Sequence, residues 1–174
     1  MTMEQLLFIL AIELVVIAFV VWIAWSGVVG APWLPTPKKR VRSMLEFAKV
    51  TSDDILYDLG SGDGRIIIMA AKEFGAQSIG IEVDPLRLWW SRRSIRRHNL
   101  SQKVEVIRAN FFKVSVEDAT IVTLYQGYKI NKKIRDKLAS ELKPGARVVS
   151  YRFILEEWTP SETNEEESIY LYIV

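Results

Sequence analysis

The segment "YDLGSGDGR" (residues 57–65) constrains this chain more than any other. Gly60, Gly62 and Gly64 alternate after an acid, Asp58, at the end of a short apolar run. The flanks fix the context. "DDILYDLG" (53–60) reads as a buried strand running into a turn. "GRIIIMAAKEFG" (64–75) reads as a helix closed by a glycine stop, and "SIGIEVD" (78–84) as a second strand. Strand, glycine turn, helix and strand together open a doubly wound α/β sheet.

The loop chemistry narrows the ligand. A dinucleotide turn wants G-x-G-x-x-G, whereas this one is G-x-G-x-G with a carboxylate two residues ahead of it. A carboxylate repels a pyrophosphate and attracts an ammonium group. Glu82, at the end of the second strand, sits where a carboxylate takes ribose hydroxyls. A cationic amino acid joined to a nucleoside satisfies both ends, which points to S-adenosylmethionine (SAM). The competing reading is a tight turn with ordinary surface acids. On the SAM reading, Gly60, Ser61 and Gly62 bring backbone to the methionine portion, and Gly64 permits close helix–strand contact. Asp58 meets the amino group and Glu82 takes the ribose.

The rest of the chain continues the pattern. "VEVIRANFF" (104–112), "ATIVTLYQG" (119–127), "ARVVSYRFI" (146–154) and "SIYLYIV" (168–174) read as strands. "KINKKIRDKLASELKPG" (129–145) reads as a helix with a Pro-Gly stop, and the polar 156–168 stretch holds room for a short strand. "TPKKRVRSMLEFAKV" (36–50) reads as a helix capped by Thr36 with Pro37 at N1, burying Val41, Met44, Leu45 and Ala48. Ligands in such sheets bind beyond the carboxyl ends of the strands, so Tyr125 and Gln126 border the reacting group. After the third strand, Asn110 is placed to accept from an adenine amino group and Phe111 to cover the base. The alternative for Phe111 and Phe112 is plain core, with one ring facing in and one out.

The N-terminus is different in kind. Residues 5–29 are almost unbroken apolar sequence whose only ionisable side chain is Glu13, and about 20 such residues span a bilayer. Trp22 and Trp25 fall near its C-terminal end, where aromatic belts form. No basic residue precedes the run, and "KKRVR" (38–42) follows it. That asymmetry predicts a single-pass membrane protein with residues 1–30 as the transmembrane helix, 31–37 as a proline-rich linker and 38–174 as a cytoplasmic domain. Glu13 in mid-membrane points to a partner helix or self-association, with a neutral acid tolerated in lipid as the alternative. All 23 Lys and Arg lie after the run, against 19 of the 21 acids, leaving a mild +4 that argues for an anionic membrane surface and not for nucleic acid. With no cysteine and one histidine, no disulfide framework or metal site is expected.

"DPLRLWWSRRSIRRHN" (84–99) reads as a helix with Leu88, Ser91, Ile95 and His98 on one arc. Trp89 and Trp90 fall among Arg92, Arg93, Arg96 and Arg97. That pattern suits a membrane interface or RNA stacking. The plainer alternative is one buried Trp with solvated arginines.

"DLGSGDG" and "IGIEVD" resemble the first two motifs of class I SAM-dependent methyltransferases. With "PWLPTP" (32–37), "ANFFKV" (109–114), "ELKPGARVVSYRF" (141–153) and "IYLYIV" (169–174), the order is similar to the small archaeal protein lysine methyltransferases. It is also similar to their mitochondrial relatives, which act on the ATP synthase c-subunit and the adenine nucleotide translocase. The hydrophobic N-terminus and the Trp–Arg helix depart from the archaeal pattern. The resemblance implies a Rossmann-like, mostly parallel sheet with an antiparallel last strand beside the fifth. It implies SAM as methyl donor, S-adenosyl-L-homocysteine as product and a protein lysine as acceptor. Trp33, Tyr125 and Tyr151 are candidates for the lysine channel, with structural aromatics as the alternative. The residues alone leave two other readings open: a methyltransferase of a lipid amine or other lipophilic small molecule, and a non-catalytic SAM-binding membrane adaptor.

Overall fold

The computed structural model describes the backbone of residues 2–29 and 34–174 and the side chains of residues 2–21 and 34–174. Trp33 and the side chains of Trp22 and Trp25 lie outside the described residues. The chain divides between Leu34 and Pro35 into two units.

In the first unit, helix α1 (Met3–Val29) starts on a reciprocal cap. The Thr2 N–H donates to Gln5 Oε1 (2.9 Å) and the Gln5 N–H to Thr2 Oγ1 (3.3 Å), which satisfies two donors that a helix start otherwise leaves orphaned. The Met3–Val21 stretch has a mean hydropathy of 2.5, and its side chains are exposed all round, with no polar stripe. Twenty-seven residues at a 1.5 Å rise make a rod of about 40 Å, longer than a bilayer's hydrocarbon core.

The second unit is a three-layer α/β/α sandwich. Its seven strands are β1 (Ile55–Leu59), β2 (Gln77–Glu82), β3 (Val104–Arg108), β4 (Ile121–Leu124), β5 (Arg147–Tyr151), β6 (Glu162–Asn164) and β7 (Ile169–Ile173). They run in the order β3-β2-β1-β4-β5-β7-β6. The first five are parallel, and β7 inserts antiparallel between β5 and β6, with Tyr151 opposite Ile169. Alternation along the strands feeds two cores. Leu56, Ile121, Val149 and Leu171 face α2 (Lys38–Phe47), α3 (Arg65–Met69) and α4 (Pro85–Arg97). Leu59, Val122, Val148 and Tyr172 face α5 (Tyr128–Glu141) through Ile134 and Leu138. The strand order reverses between β1 and β4, which opens a crevice at their carboxyl ends.

Local details differ from the expected ones. α2 starts at Lys38 with Pro37 in the cap position and no side-chain cap; the Thr36 carbonyl instead accepts from Arg65 Nη1 (2.7 Å). α3 continues into a π-helical turn (Ala70–Phe74) that ends on Gly75 at φ +81°, the expected glycine stop. α4 is capped by Asp84, whose Oδ1 accepts from the Leu86 and Arg87 N–H groups (both 2.9 Å). Its buried face is Arg87, Leu88, Ser91 and Ile95, and His98 is exposed at its end. Phe111 and Phe112 are not strand residues: β3 stops at Arg108 and they open a 3₁₀ turn (Phe111–Lys113), so they do not alternate in and out.

Candidate active site

β1 delivers Asp58 and then turns. Gly60 (φ +94°), Gly62 (φ +56°) and Gly64 (φ +82°) all occupy left-handed backbone that other residues rarely adopt. The Gly60 and Ser61 N–H groups both donate to the Ile81 carbonyl (2.9 and 3.0 Å), and this ties the loop to β2. Gly60 and Gly64 also leave room for close neighbours. A side chain on Gly60 would collide with the amide of Gln126, which donates through Nε2 to the Leu59 carbonyl (2.8 Å). A side chain on Gly64 would collide with Ser91 of α4, so Gly64 permits a helix contact and not the expected strand contact. Gly80 makes room for Ser61 and Ile67, which seats the loop and α3 on β2. Ser61 is buried with its hydroxyl turned toward Gly80.

Two buried carboxylates line this loop. Glu82 Oε2 accepts from the Gly62 N–H (2.9 Å), and Oε1 accepts from the Val83 and Asp84 N–H groups (2.9 Å each). Three of its roughly four acceptor sites are therefore taken by backbone, and one on Oε2 is left. Arg87 Nη1 stands 4.0 Å from Oε1. Asp58, 3% exposed, accepts from Thr123 Oγ1 (2.8 Å) and makes no ion pair among the described residues. Burial pushes its pKa up to about 7; Glu82 and Asp63 push the same way and the Thr123 hydrogen bond opposes them. A buried carboxylate without a cation, beside a second carboxylate, fits the ammonium of SAM and would repel a pyrophosphate.

The Ala109 N–H donates to the Glu82 carbonyl (3.2 Å), which holds the 109–111 segment beside the end of β2. There Asn110 Oδ1 accepts from the Phe112 N–H (3.0 Å), capping the 3₁₀ turn and leaving a second acceptor site on the same oxygen. Phe111 is half-buried, its ring 4.7 Å from that of Phe112.

Beyond β4 and β5 the lining changes to aromatic rings. Tyr125 and Tyr151 lie 4.8 Å apart between ring centroids; Phe153 stacks on Tyr125 at 6.2 Å, and Tyr128 meets Phe153 edge-on at 5.1 Å. Arg152 has φ +67°, a costly conformation for a side-chain-bearing residue, held by its N–H donating to the Ser168 carbonyl (2.8 Å). Its guanidinium lies 5.4 Å from the Tyr151 ring centroid. Its pKa is raised, chiefly by the neighbouring Tyr151 and Tyr125 phenols. The structure thus brings Asp58, Gly60, Ser61, Gly62, Gly64 and Glu82 together at one end and pairs Tyr125 with Tyr151 at the other. Gln126 is buried under the glycine loop and serves as its brace. Sequence reasoning missed Gly80, Tyr128, Arg152 and Phe153; the "YRF" run at the end of β5 was the available signal for Arg152 and Phe153. No cluster able to hold a metal ion occurs among the described residues.

Residues 58–162, more than half the chain, match the family described as the ANTKMT methyltransferase domain. A protein-lysine N-methyltransferase of Saccharolobus islandicus (strain REY15A) is 42% identical over 156 residues, 86% of this chain and 97% of that protein. The adenine nucleotide translocase lysine N-methyltransferase of Mus musculus is 34% identical over 130 residues, 74% of this chain but 56% of that protein, so the chain spans little more than half its length. Among solved structures, an RNA methyltransferase from Salinibacter ruber in complex with S-adenosyl-L-homocysteine superposes with a TM-score of 0.79 at 40% identity, covering 81% of this chain and 94% of that one. With a family match over most of its sheet and an archaeal relative aligned over nearly its full length, the chain belongs to the ANTKMT methyltransferase family.

Proposed function

We propose that this protein is a membrane-anchored, SAM-dependent methyltransferase that methylates lysine amino groups of protein substrates. The observation that carries the reading is the pairing of a buried, cation-seeking loop around Asp58 and Glu82 with a tyrosine-lined strand end. α1 is the anchor, with Glu13, in the middle of its apolar run, as a polar handle for a partner helix, and the basic run 38–42 after it supports a cytoplasmic side for the domain.

Bound SAM supplies an electrophilic methyl group on a sulfonium. Asp58 pairs with the ammonium, and the remaining acceptor site on Glu82 takes a ribose hydroxyl. Asn110 offers its second acceptor site to the adenine amino group, and Phe111 covers the base. On the acceptor side, a lysine of ordinary pKa is less than about 0.1% neutral at pH 7, a deficit of roughly 4–5 kcal/mol. The Tyr125 and Tyr151 oxygens accept from the amine and align it for in-line attack. Arg152 lies beside Tyr151, its guanidinium 5.4 Å from the ring centroid, and as a fixed cation it disfavours the ammonium form of the incoming side chain. The proton leaves to water, and no carboxylate is required at the reacting atoms.

The test is labelled SAM added to the detergent-solubilised full chain with membrane protein, extracted lipid and RNA as separate acceptors. Label recovered as methyl-lysine after hydrolysis supports the reading. Label in lipid amines or RNA replaces the acceptor, and binding without transfer makes the protein an adaptor.

A further inference from the structure

The outer face of α4 takes no part in the site described above. Trp89 and Trp90 are 51% and 38% exposed there. With Asp63, Arg93, Ser94 and Arg97 they line a groove of about 470 Å³. Arg92, Arg93, Arg96 and Arg97 are exposed and make no ion pair among the described residues. The one acid in the groove is already engaged: Asp63 receives Arg65 through Nε (2.9 Å) and Nη2 (2.6 Å). The groove is therefore cationic and lined with indole, with no compensating charge.

Two large indole rings left half in water beside uncompensated guanidinium groups are unfavourable for a domain that stays in bulk solvent. The same pattern is stabilising where apolar acyl chains meet anionic phosphates: the rings enter the interface and the arginines remain at headgroup level. We infer that this face of α4 docks on the headgroups of an anionic membrane. The inference rests on the reading of α1 as a membrane anchor, which would keep the domain near a bilayer. A nucleic-acid backbone offers the same phosphates, but stacking a base needs an open indole face, and Arg93 sits 5.8 Å from the Trp89 ring centroid. Each arginine near an anionic surface strengthens partitioning by about fivefold, so the contact should be sensitive to salt. The geometry has a consequence for substrate choice. α4 begins three residues after Glu82, and the two tryptophans follow within its first two turns, so the docking face borders the rim where the strand ends open. Acceptor lysines close to the headgroups would be favoured over distant ones.

The sequence contains no cysteine, so a single introduced thiol reports cleanly. Ser94→Cys carries an environment-sensitive fluorophore in the groove, and Ser140→Cys on exposed α5 is the control. The full chain is reconstituted into nanodiscs of phosphatidylcholine alone or with one-third phosphatidylglycerol, and retention of α1 is read separately by co-elution after a high-salt, alkaline wash. Docking predicts a blue shift and quenching by headgroup-labelled lipid at position 94 in the anionic discs only. The signal should fall at least about fivefold in 1 M salt or in R93Q/R96Q/R97Q, with position 140 silent in all cases. Identical spectra at position 94 in both discs overturn the inference, as does a response that follows protein-to-disc ratio, which marks a second copy, or one that requires added RNA. If α1 fails to stay in the disc, the anchor reading falls by itself. Liposomes with and without phosphatidylglycerol, added to the same labelled protein, then decide the docking face independently.

Discussion

Glu82 and Tyr151 end strands of the same sheet, yet different forces hold the two neighbourhoods. Around Glu82 the backbone does the holding: three N–H groups converge on one carboxylate, the glycine loop is bonded to Ile81, and three left-handed glycines set the path. Around Tyr151 the holding comes from ring contacts with Tyr125, and through it Phe153, and from one arginine in a strained conformation. Hydrogen-bonded backbone fixes a polar ligand in one place and tolerates little change. Stacked rings give a shaped but adaptable wall. A site built this way should be strict about cofactor and more permissive about the acceptor chain.

The largest expected effect lies at the cofactor end. Gly62→Arg places a side chain at φ +56° and disturbs the N–H that Glu82 receives, so SAM binding measured by calorimetry should fall by more than about a hundredfold. Glu82→Gln comes next. An amide cannot accept from donors at both ends, so one of its groups meets a backbone N–H unpaired at a cost of about 1–3 kcal/mol. That corresponds to roughly 5- to 150-fold weaker SAM binding, with kcat for saturated enzyme less affected.

The pH dependence sharpens the contrast further. In the free protein the Asp58 carboxyl, with a pKa of about 7 against an ordinary 3.8, is penalised when ionised. The free domain therefore loses stability from this group as pH rises from about 4 toward 7. An ammonium ligand favours the ionised form, so below pH 7 binding must release a proton, and SAM affinity should fall by about fivefold from pH 7 to 6 as this group protonates. Asp58→Asn should flatten this profile; an unchanged slope in that variant would assign the titration to another group. The smallest effect is expected at the acceptor end. Arg152→Gln should leave SAM affinity within about twofold, lower kcat/KM for a lysine peptide by about three- to tenfold and move the acidic limb of its pH profile upward.

The same contrast explains what could be read in advance. The Asp58–Gly64 loop, the helix stop at Gly75 and the buried stripe Leu88–Ser91–Ile95 were legible because periodicity and turn chemistry are local. The place of β7 beside β5 came from the family resemblance, since strand order is not a local property. The partner of Gly64 was misjudged, because a missing side chain shows that something comes close without showing what: here Ser91. Phe111 and Phe112 looked like strand residues by propensity, but Asn110 caps a 3₁₀ turn and tertiary context overrode the pattern. Gln126 stood at the right strand end but faces inward, a choice made by the clash-free space over Gly60. Tyr128 and Phe153 join the acceptor wall from α5 and from the loop after β5, a juxtaposition that chain order does not encode.

The division of labour between the two neighbourhoods is open to a single paired measurement on the full chain at pH 8: SAM affinity by calorimetry, and single-turnover transfer to a lysine peptide at saturating SAM. Asp58→Asn should weaken SAM binding at least about tenfold by losing the ammonium's counter-charge. Tyr125→Phe combined with Tyr151→Phe should keep SAM affinity within about twofold while slowing methyl transfer at least about tenfold, since both oxygens that align the amine are gone. If the double tyrosine variant transferred methyl at the wild-type rate, or lost SAM binding as severely as Asp58→Asn, the cofactor and acceptor ends would not be separate and the assignment would be wrong.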